Sequence, residues 1–250
     1  MAGIKGIIMD KDGTLFRYGE VWGPVLSEAI VKGLYKAGMP KEKEKSCVAD
    51  FCKVVGITAD GTTYPDGIIF RHDQLLMATI RILRITFRYH MNPWKVWKCV
   101  QGIMNHENFN LASHLDKINF TDVHETVKQL HAHGYILGIV TTDTAESTDL
   151  FLSKMGIKDY ISFLRTKDSE TPTKPNPGAI KEFCNEFKLK SEEIAVIGDT
   201  VVDMEFGRIG EAGYTIAVLT GSGDKEGLEK TADKVYPSLK DILTDPILFP

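Results

Sequence analysis

The sequence has no apolar run long enough to cross a bilayer. A spanning helix needs about 18–20 consecutive apolar residues, and the most apolar stretch, Leu75 to Phe87, is broken by Arg81 and Arg84. It also lacks a secretory pattern: Met1-Ala2-Gly3-Ile4-Lys5-Gly6 runs into a strand-like segment without an apolar stretch or cleavage site. No membrane association and a cytoplasmic location are therefore expected. Cysteine is scarce, with Cys47, Cys52, Cys99 and Cys184 at spacings that give no CxxC and no nearby histidine pair. Neither a disulfide framework nor a zinc site is indicated, and buried, reduced thiols are expected, with a pairing of Cys47 and Cys52, five apart, as the alternative. There is no basic excess either, since 30 Lys+Arg against 34 Asp+Glu leave a net charge of -4. Phosphate-backbone binding usually shows a surplus of positive charge, so small molecules are the expected partners and nucleic acid is not. No internal repeat or low-complexity segment is present.

What is there is ordinary globular composition: 250 residues, 43% hydrophobic and 26% charged, enough for one or two domains. Ile4–Met9, Ile136–Val140, Ile194–Ile197 and Tyr214–Leu219 are short, almost wholly apolar runs, as strands covered on both faces must be. Helical spacing fills the intervals at Val123–His133, Glu146–Met155, Ala179–Phe187 and Asp203–Glu211, the first two closing at Gly134 and Gly156. The alternation predicts an α/β fold: a doubly wound, Rossmann-like parallel sheet, with ligands bound beyond the carboxyl ends of its strands. Residues 17–116 break the rhythm. Their amphipathic stretches, Val25–Ala37, Ser46–Val55, His72–Tyr89 and Pro93–Met104, predict an inserted all-helical cap, leaving 1–16 and 117–250 as the α/β core. Such an insertion, following the first strand, is placed to roof the chemistry at that strand's end. Thr166–Pro177, rich in Pro and Thr, reads as a rigid loop, and the tail 246–250 as a segment docking on the core or on a partner.

Three strand ends deliver polar groups to one edge: Asp10, Thr141 and Asp199. In Asp10-Lys11-Asp12-Gly13-Thr14, alternation along an extended segment would turn both carboxylates to one side and Lys11 away. Carboxylates forced together share a proton or recruit a cation. Asp199 and Asp203, four apart, would face together on a helix, mildly repelling unless a cation compensates; capping of that helix by Asp199 is the plainer alternative. Two acidic pairs on one sheet edge favour an oxygen-ligated cation such as magnesium over zinc. Thr141 and Lys174, taken separately, carry no function.

In order along the chain, Asp10-Lys11-Asp12-Gly13-Thr14, the run ending in Thr141, Lys174-Pro175 and Gly198-Asp199-Thr200-Val201-Val202-Asp203 resemble the four motifs of the haloacid-dehalogenase-like hydrolase superfamily. Gly210-Glu211-Ala212-Gly213 and Leu219-Thr220-Gly221 are most similar to its phosphoglycolate-phosphatase branch, and the helical insertion to that branch's cap. The resemblance implies a Mg²⁺-dependent phosphomonoester hydrolase acting on a small phosphate ester, 2-phosphoglycolate for example. Asp10 would be the nucleophile and Asp12 the acid and base. Asp10, the Asp12 carbonyl, Asp199 and Asp203 would hold Mg²⁺; Thr141, Thr142 and Lys174 would bind phosphate. Asp12 separates this pattern from the superfamily's dehalogenases, which lack it. Two departures stand out: Thr142 where relatives often carry Asn, and Lys11 where they carry an aliphatic residue. A sugar-phosphate mutase resembling β-phosphoglucomutase, and an idle binding or regulatory protein on the same scaffold, are the alternatives.

In the insertion, Arg71 or His72 would meet the substrate's non-phosphate end, although a solvated helix start is the simpler reading. Arg81, Arg84 and Arg88 form a helical stripe expected to be an exposed face, and Trp94 and Trp97 are expected to pack cap helices.

Overall fold

The computed structural model describes residues 3–64, 66–69, 75–104, 109 and 111–250. It divides into two compact units, Met1–Tyr18 with Ile118–Pro250, and Gly19–Lys117. The first is a six-stranded sheet in the order β3-β2-β1-β4-β5-β6, formed by β1 (Gly6–Met9), β2 (Ile136–Val140), β3 (Ile161–Arg165), β4 (Ile194–Gly198), β5 (Tyr214–Val218) and β6 (Lys234–Tyr236). Every pairing is parallel. Helices α6 (Thr121–Ala132), α7 (Ala145–Met155), α8 (Gly178–Phe187), α9 (Val201–Ile209) and α10 (Lys225–Thr231) connect the strands; α1 to α5 lie earlier in the chain and are described with the second unit. Ile8, Val140, Phe163 and Val196 from the sheet pack with Ile180 and Phe183 of α8 and Phe206 of α9. β1 lies between β2 and β4, with Met9 opposite both Ile139 and Ile197, so the order in which successive strands are added to the sheet reverses at β1. The edge strands β3 and β6 were not among the apolar runs, because Ser162, Arg165 and Lys234 interrupt them with polar side chains. Short, charged strands protect a sheet edge from further pairing.

The carboxyl-terminal tail docks on the α/β unit. Leu248 is buried, and the fully buried Asp245 accepts hydrogen bonds from Tyr214 Oη (2.8 Å), Tyr236 Oη (2.9 Å) and the backbone N–H groups of Ile247 (2.8 Å) and Leu248 (3.0 Å). Burial opposes the charge, but these donors outweigh it and hold the Asp245 carboxyl below its usual range. Its stabilisation is therefore complete above the ordinary carboxylate range and is lost as pH falls through the lowered folded value. Asp245→Ala is expected to cost on the order of 2–4 kcal/mol by leaving two buried phenols without their acceptor. Denaturant melts at pH 7 would show this loss, and the difference from the parent would shrink in acid.

The second unit is helical: α1 (Tyr18–Lys36), α2 (Glu44–Val55), α3 (Leu75–Arg88), α4 (Pro93–Met104) and α5 (Leu111–Leu115). Its described residues carry one isolated β-bridge, Ile57 to Thr63. α1 starts well before Val25 because Pro24 is accommodated inside it, forgoing one backbone bond rather than ending the helix. Arg81, Arg84 and Arg88 are exposed as expected, while Ala78, Ile82 and Ile85 face inward. The expectation for the tryptophans fails: Trp94 and Trp97 are 66% and 45% exposed. The buried stripe of α4 is Val96, Val100 and Ile103, which places both indoles on other faces. All four cysteines are free, Cys47 and Cys52 buried. Among the described residues no helix is long and apolar enough to cross a membrane.

Candidate active site

Asp10 is the first residue beyond β1, and its N–H donates to Ile197 O on neighbouring β4 (2.9 Å). The chain then turns at once, with Leu15 N–H donating to Lys11 O (3.0 Å). Gly13 completes the turn with φ +89°, and a Cβ there would lie 2.7 Å from Asp199 Oδ2. This turn overturns the expected alternation of side chains. Lys11 does not point away from Asp12: its Nζ lies 2.7 Å from Asp12 Oδ2 and 2.9 Å from Asp143 Oδ2.

The other strand ends contribute as the sheet order requires. Thr141, buried after β2, donates its N–H to Arg165 O (2.9 Å), and its Oγ1 accepts from Asp143 N–H (3.2 Å). Thr142 beside it is exposed. Asp199 follows β4, with Oδ1 accepting from Thr14 Oγ1 (3.3 Å) and Oδ2 from Ser222 N–H (2.9 Å). Asp199 and Asp203 do not share a helix face. Thr200 is the N-cap of α9, so Asp199 precedes the helix, and Asp203 is the N3 partner in a capping box with Thr200. Asp203 Oδ2 accepts from Thr200 N–H (3.0 Å) and Oγ1 (2.6 Å). Its Oδ1 is left for Lys174, whose Nζ bridges Asp203 Oδ1 (2.6 Å) and Asp10 Oδ1 (2.5 Å).

Among the described residues, Asp10, Asp199 and Asp203 each offer an oxygen within 4.8 Å of the others. The Asp12 side chain is not in that group. Asp199 and Asp203 are buried and Asp10 is nearly so, and three carboxylates this close repel one another. Burial pushes the Asp10 carboxyl up to about 7, the Lys174 ammonium opposing and the Asp203 charge adding to the rise. Burial also raises Asp199 well above the usual range, with Asp10 and Asp203 reinforcing it. Lys174, though burial works against its charge, is held protonated by Asp10 and Asp203. An all-oxygen donor set short of positive charge fits a hard divalent cation.

Arg71 and His72 lie outside the described residues. Three groups at this edge escaped the sequence analysis as site residues. Lys11 stands in the sequence only as a departure from a motif, and Asp143 carries no signal beyond following Thr141 closely. Tyr18 is raised by burial and by the charges of Asp12, Asp199 and Asp143, which places its hydroxyl in their field.

The family model described as haloacid dehalogenase-like hydrolase matches residues 68–219, more than half of the chain. The chain belongs to this family. The haloacid dehalogenase-like hydrolase is 29% identical over 157 residues to the pyrophosphatase PpaX of Halalkalibacterium halodurans, covering 61% of this chain and 70% of that one. It is also 29% identical over 139 residues to a phosphoglycolate phosphatase of Nitrosococcus oceani, covering 54% and 59%. A predicted phosphoglycolate phosphatase from Haemophilus somnus superposes with a TM-score of 0.65 at 20% identity, over 97% of this chain and 98% of that one. A HAD-superfamily hydrolase, subfamily IA, from Geobacter sulfurreducens gives 0.62 at 16%, over 97% and 96%. These structural likenesses establish the fold.

Proposed function

We propose that this hydrolase is a magnesium-dependent phosphatase that cleaves small phosphate compounds through a phosphoryl group carried on Asp10. The observation that carries the reading is the convergence of Asp10, Asp199 and Asp203 on one another, with Lys174 bridging Asp10 and Asp203, at the carboxyl ends of β1 and β4. Asp10, Asp199, Asp203 and the Asp12 carbonyl would hold the cation, which when bound neutralises carboxylate and phosphate charge and polarises the phosphoryl group. Asp10 attacks phosphorus as the bond to the leaving oxygen breaks, and Asp12 gives that oxygen its proton. Water then attacks the phosphorus, Asp12 takes a proton back, and the Asp10 carboxylate is released with inorganic phosphate. Thr141 and Thr142 hydrogen-bond phosphoryl oxygens, and Lys174 offsets the charge gathering around Asp10. The relatives' names, one for pyrophosphate and one for phosphoglycolate, support a small, strongly anionic substrate, with 2-phosphoglycolate the first ester to try. Arg71 and His72 are the first candidates for selecting its non-phosphate end.

The test is inorganic phosphate release from 2-phosphoglycolate, pyrophosphate, sugar phosphates and nucleoside monophosphates, first with magnesium and then with excess chelator. Chelator-sensitive release concentrated on one compound is expected. Isomerised sugar phosphate without release would identify the mutase instead, and neither product would leave the idle scaffold. Geometry gives a second expectation. A Cβ on Gly221 would lie 1.8 Å from Asp199 Oδ2, so Gly221→Ala must displace a proposed ligand. Displacements of this kind cost about a hundredfold in rate, and steady-state kinetics of the variant would measure it.

A further inference from the structure

Lys11 occupies a position that an aliphatic residue would fill at no electrostatic cost. Its side chain is 0% exposed, and its Nζ lies 3.9 Å from the centroid of Phe151, whose ring stacks on Phe16 at 4.9 Å. Burying an ammonium among rings and pairing it with carboxylates rarely gains stability over a well-packed apolar side chain. Yet the charge is held there by design of its surroundings. Asp143 fixes it from the far side (2.9 Å) and is itself fixed: Oδ1 accepts from Thr144 N–H (2.7 Å), its N–H donates to Thr141 Oγ1 (3.2 Å), and its carbonyl accepts from Lys167 N–H (2.9 Å). The other end of the bridge is Asp12 Oδ2 (2.7 Å).

We infer that Lys11, anchored by Asp143 and the Phe151 ring, is a positioning residue for Asp12: it grips Oδ2 and so fixes the plane in which Oδ1 gives and takes the reaction's proton. The grip survives both halves of the reaction. When Asp12 is protonated at Oδ1, the negative end of its carbonyl dipole, Oδ2, still faces the Lys11 ammonium, as the carboxylate oxygen does after the proton has passed to the leaving group. It also keeps the Asp12 carboxylate away from Asp10, Asp199 and Asp203, whose oxygens converge without it. Asp143 thereby links the strand end carrying Thr141 to the acid and base on the first motif. This inference rests on the proposed acid–base role of Asp12.

The test compares first-turnover rates on two substrates in the magnesium-loaded full chain. p-Nitrophenyl phosphate has a leaving group that departs without a proton; 2-phosphoglycolate has an alkoxide that needs one. Asp12→Asn is the reference, expected to lose alkyl-ester cleavage by roughly 10²–10⁴-fold while the nitrophenolate burst falls far less. Lys11→Met is expected to show the same selectivity at smaller size, about 10–100-fold on the alkyl ester with KM little changed. If Lys11→Met destabilises the fold by orphaning Asp143, the Lys11→Met/Asp143→Leu double variant removes both charges into an apolar site, and the same selective loss is expected. Equal losses on both substrates, or no loss on either, in a folded variant would overturn the inference while Asp12→Asn keeps its selectivity. An Asp12→Asn protein without selectivity would overturn the acid–base reading, and the inference with it.

Discussion

Asp10→Asn is expected to abolish phosphate release while making the metal-free protein more stable at alkaline pH. The loss of turnover follows from chemistry, since an amide cannot attack phosphorus or form the carried phosphoryl group. The gain in stability follows from electrostatics. Unfolded, Asp10 ionises near its ordinary value of 3.8; folded, burial lifts it to about 7. Between those values the folded chain binds a proton that the unfolded chain has released. Stability therefore falls as pH rises from about 4 to 7 and remains lowered above that. The Asp10→Asn protein lacks this titration. In chelator its melting temperature should exceed the parent's at pH 8 by several degrees, at about 2–4 °C per kcal/mol for a chain this size, and converge with it near pH 4. Magnesium should raise the parent's melting temperature at pH 8 and erase the variant's advantage. Full turnover by Asp10→Asn would remove Asp10 as nucleophile; a variant less stable than its parent at pH 8 in chelator would refute the charge argument.

Lys174→Met is expected to fail on both counts. The Lys174 side chain is 6% exposed and sits between Asp10 and Asp203. Its removal leaves those carboxylates and Asp199 with no ammonium among them. Removing one partner of a buried ion pair costs about 3–5 kcal/mol, so the metal-free variant should melt well below the parent, and magnesium should restore more of its stability than it adds to the parent. Loss of one preorganised charge facing the phosphoryl group is expected to lower kcat by about 10²–10³-fold. Activity within threefold of the parent would exclude Lys174 from the site. A Tm unchanged in chelator would show that the ion pairs contribute nothing to the fold.

The sheet centre was legible because β1, β2, β4 and β5 are buried on both faces, and only continuous apolar runs can meet that demand. The edges were not, since Ile161–Arg165 and Lys234–Tyr236 face solvent on one side and carry polar residues that erase the signal. Asp10, Thr141 and Asp199 were legible as polar groups at strand ends because each ends an apolar run. Local geometry was harder. Alternation failed at Lys11 because the chain turns immediately after Asp10, and helical spacing failed at Asp199 because α9 starts only after Thr200. Asp143 acquires meaning only through Lys11, a partner 132 positions away in the chain. Trp94 and Trp97 misled for a related reason: bulk suggests burial, but the periodicity of Val96, Val100 and Ile103 decides which face of α4 turns inward.

The most direct test of the central claim is to trap the phosphoryl group. With magnesium and p-nitrophenyl phosphate, the Asp12→Asn protein should release about one equivalent of nitrophenolate and then stall, because the water-activating base is gone. Acid quench and peptide mapping should then find the phosphate on Asp10. A stoichiometric burst with no protein-bound phosphate, or with phosphate on another residue, would contradict the account.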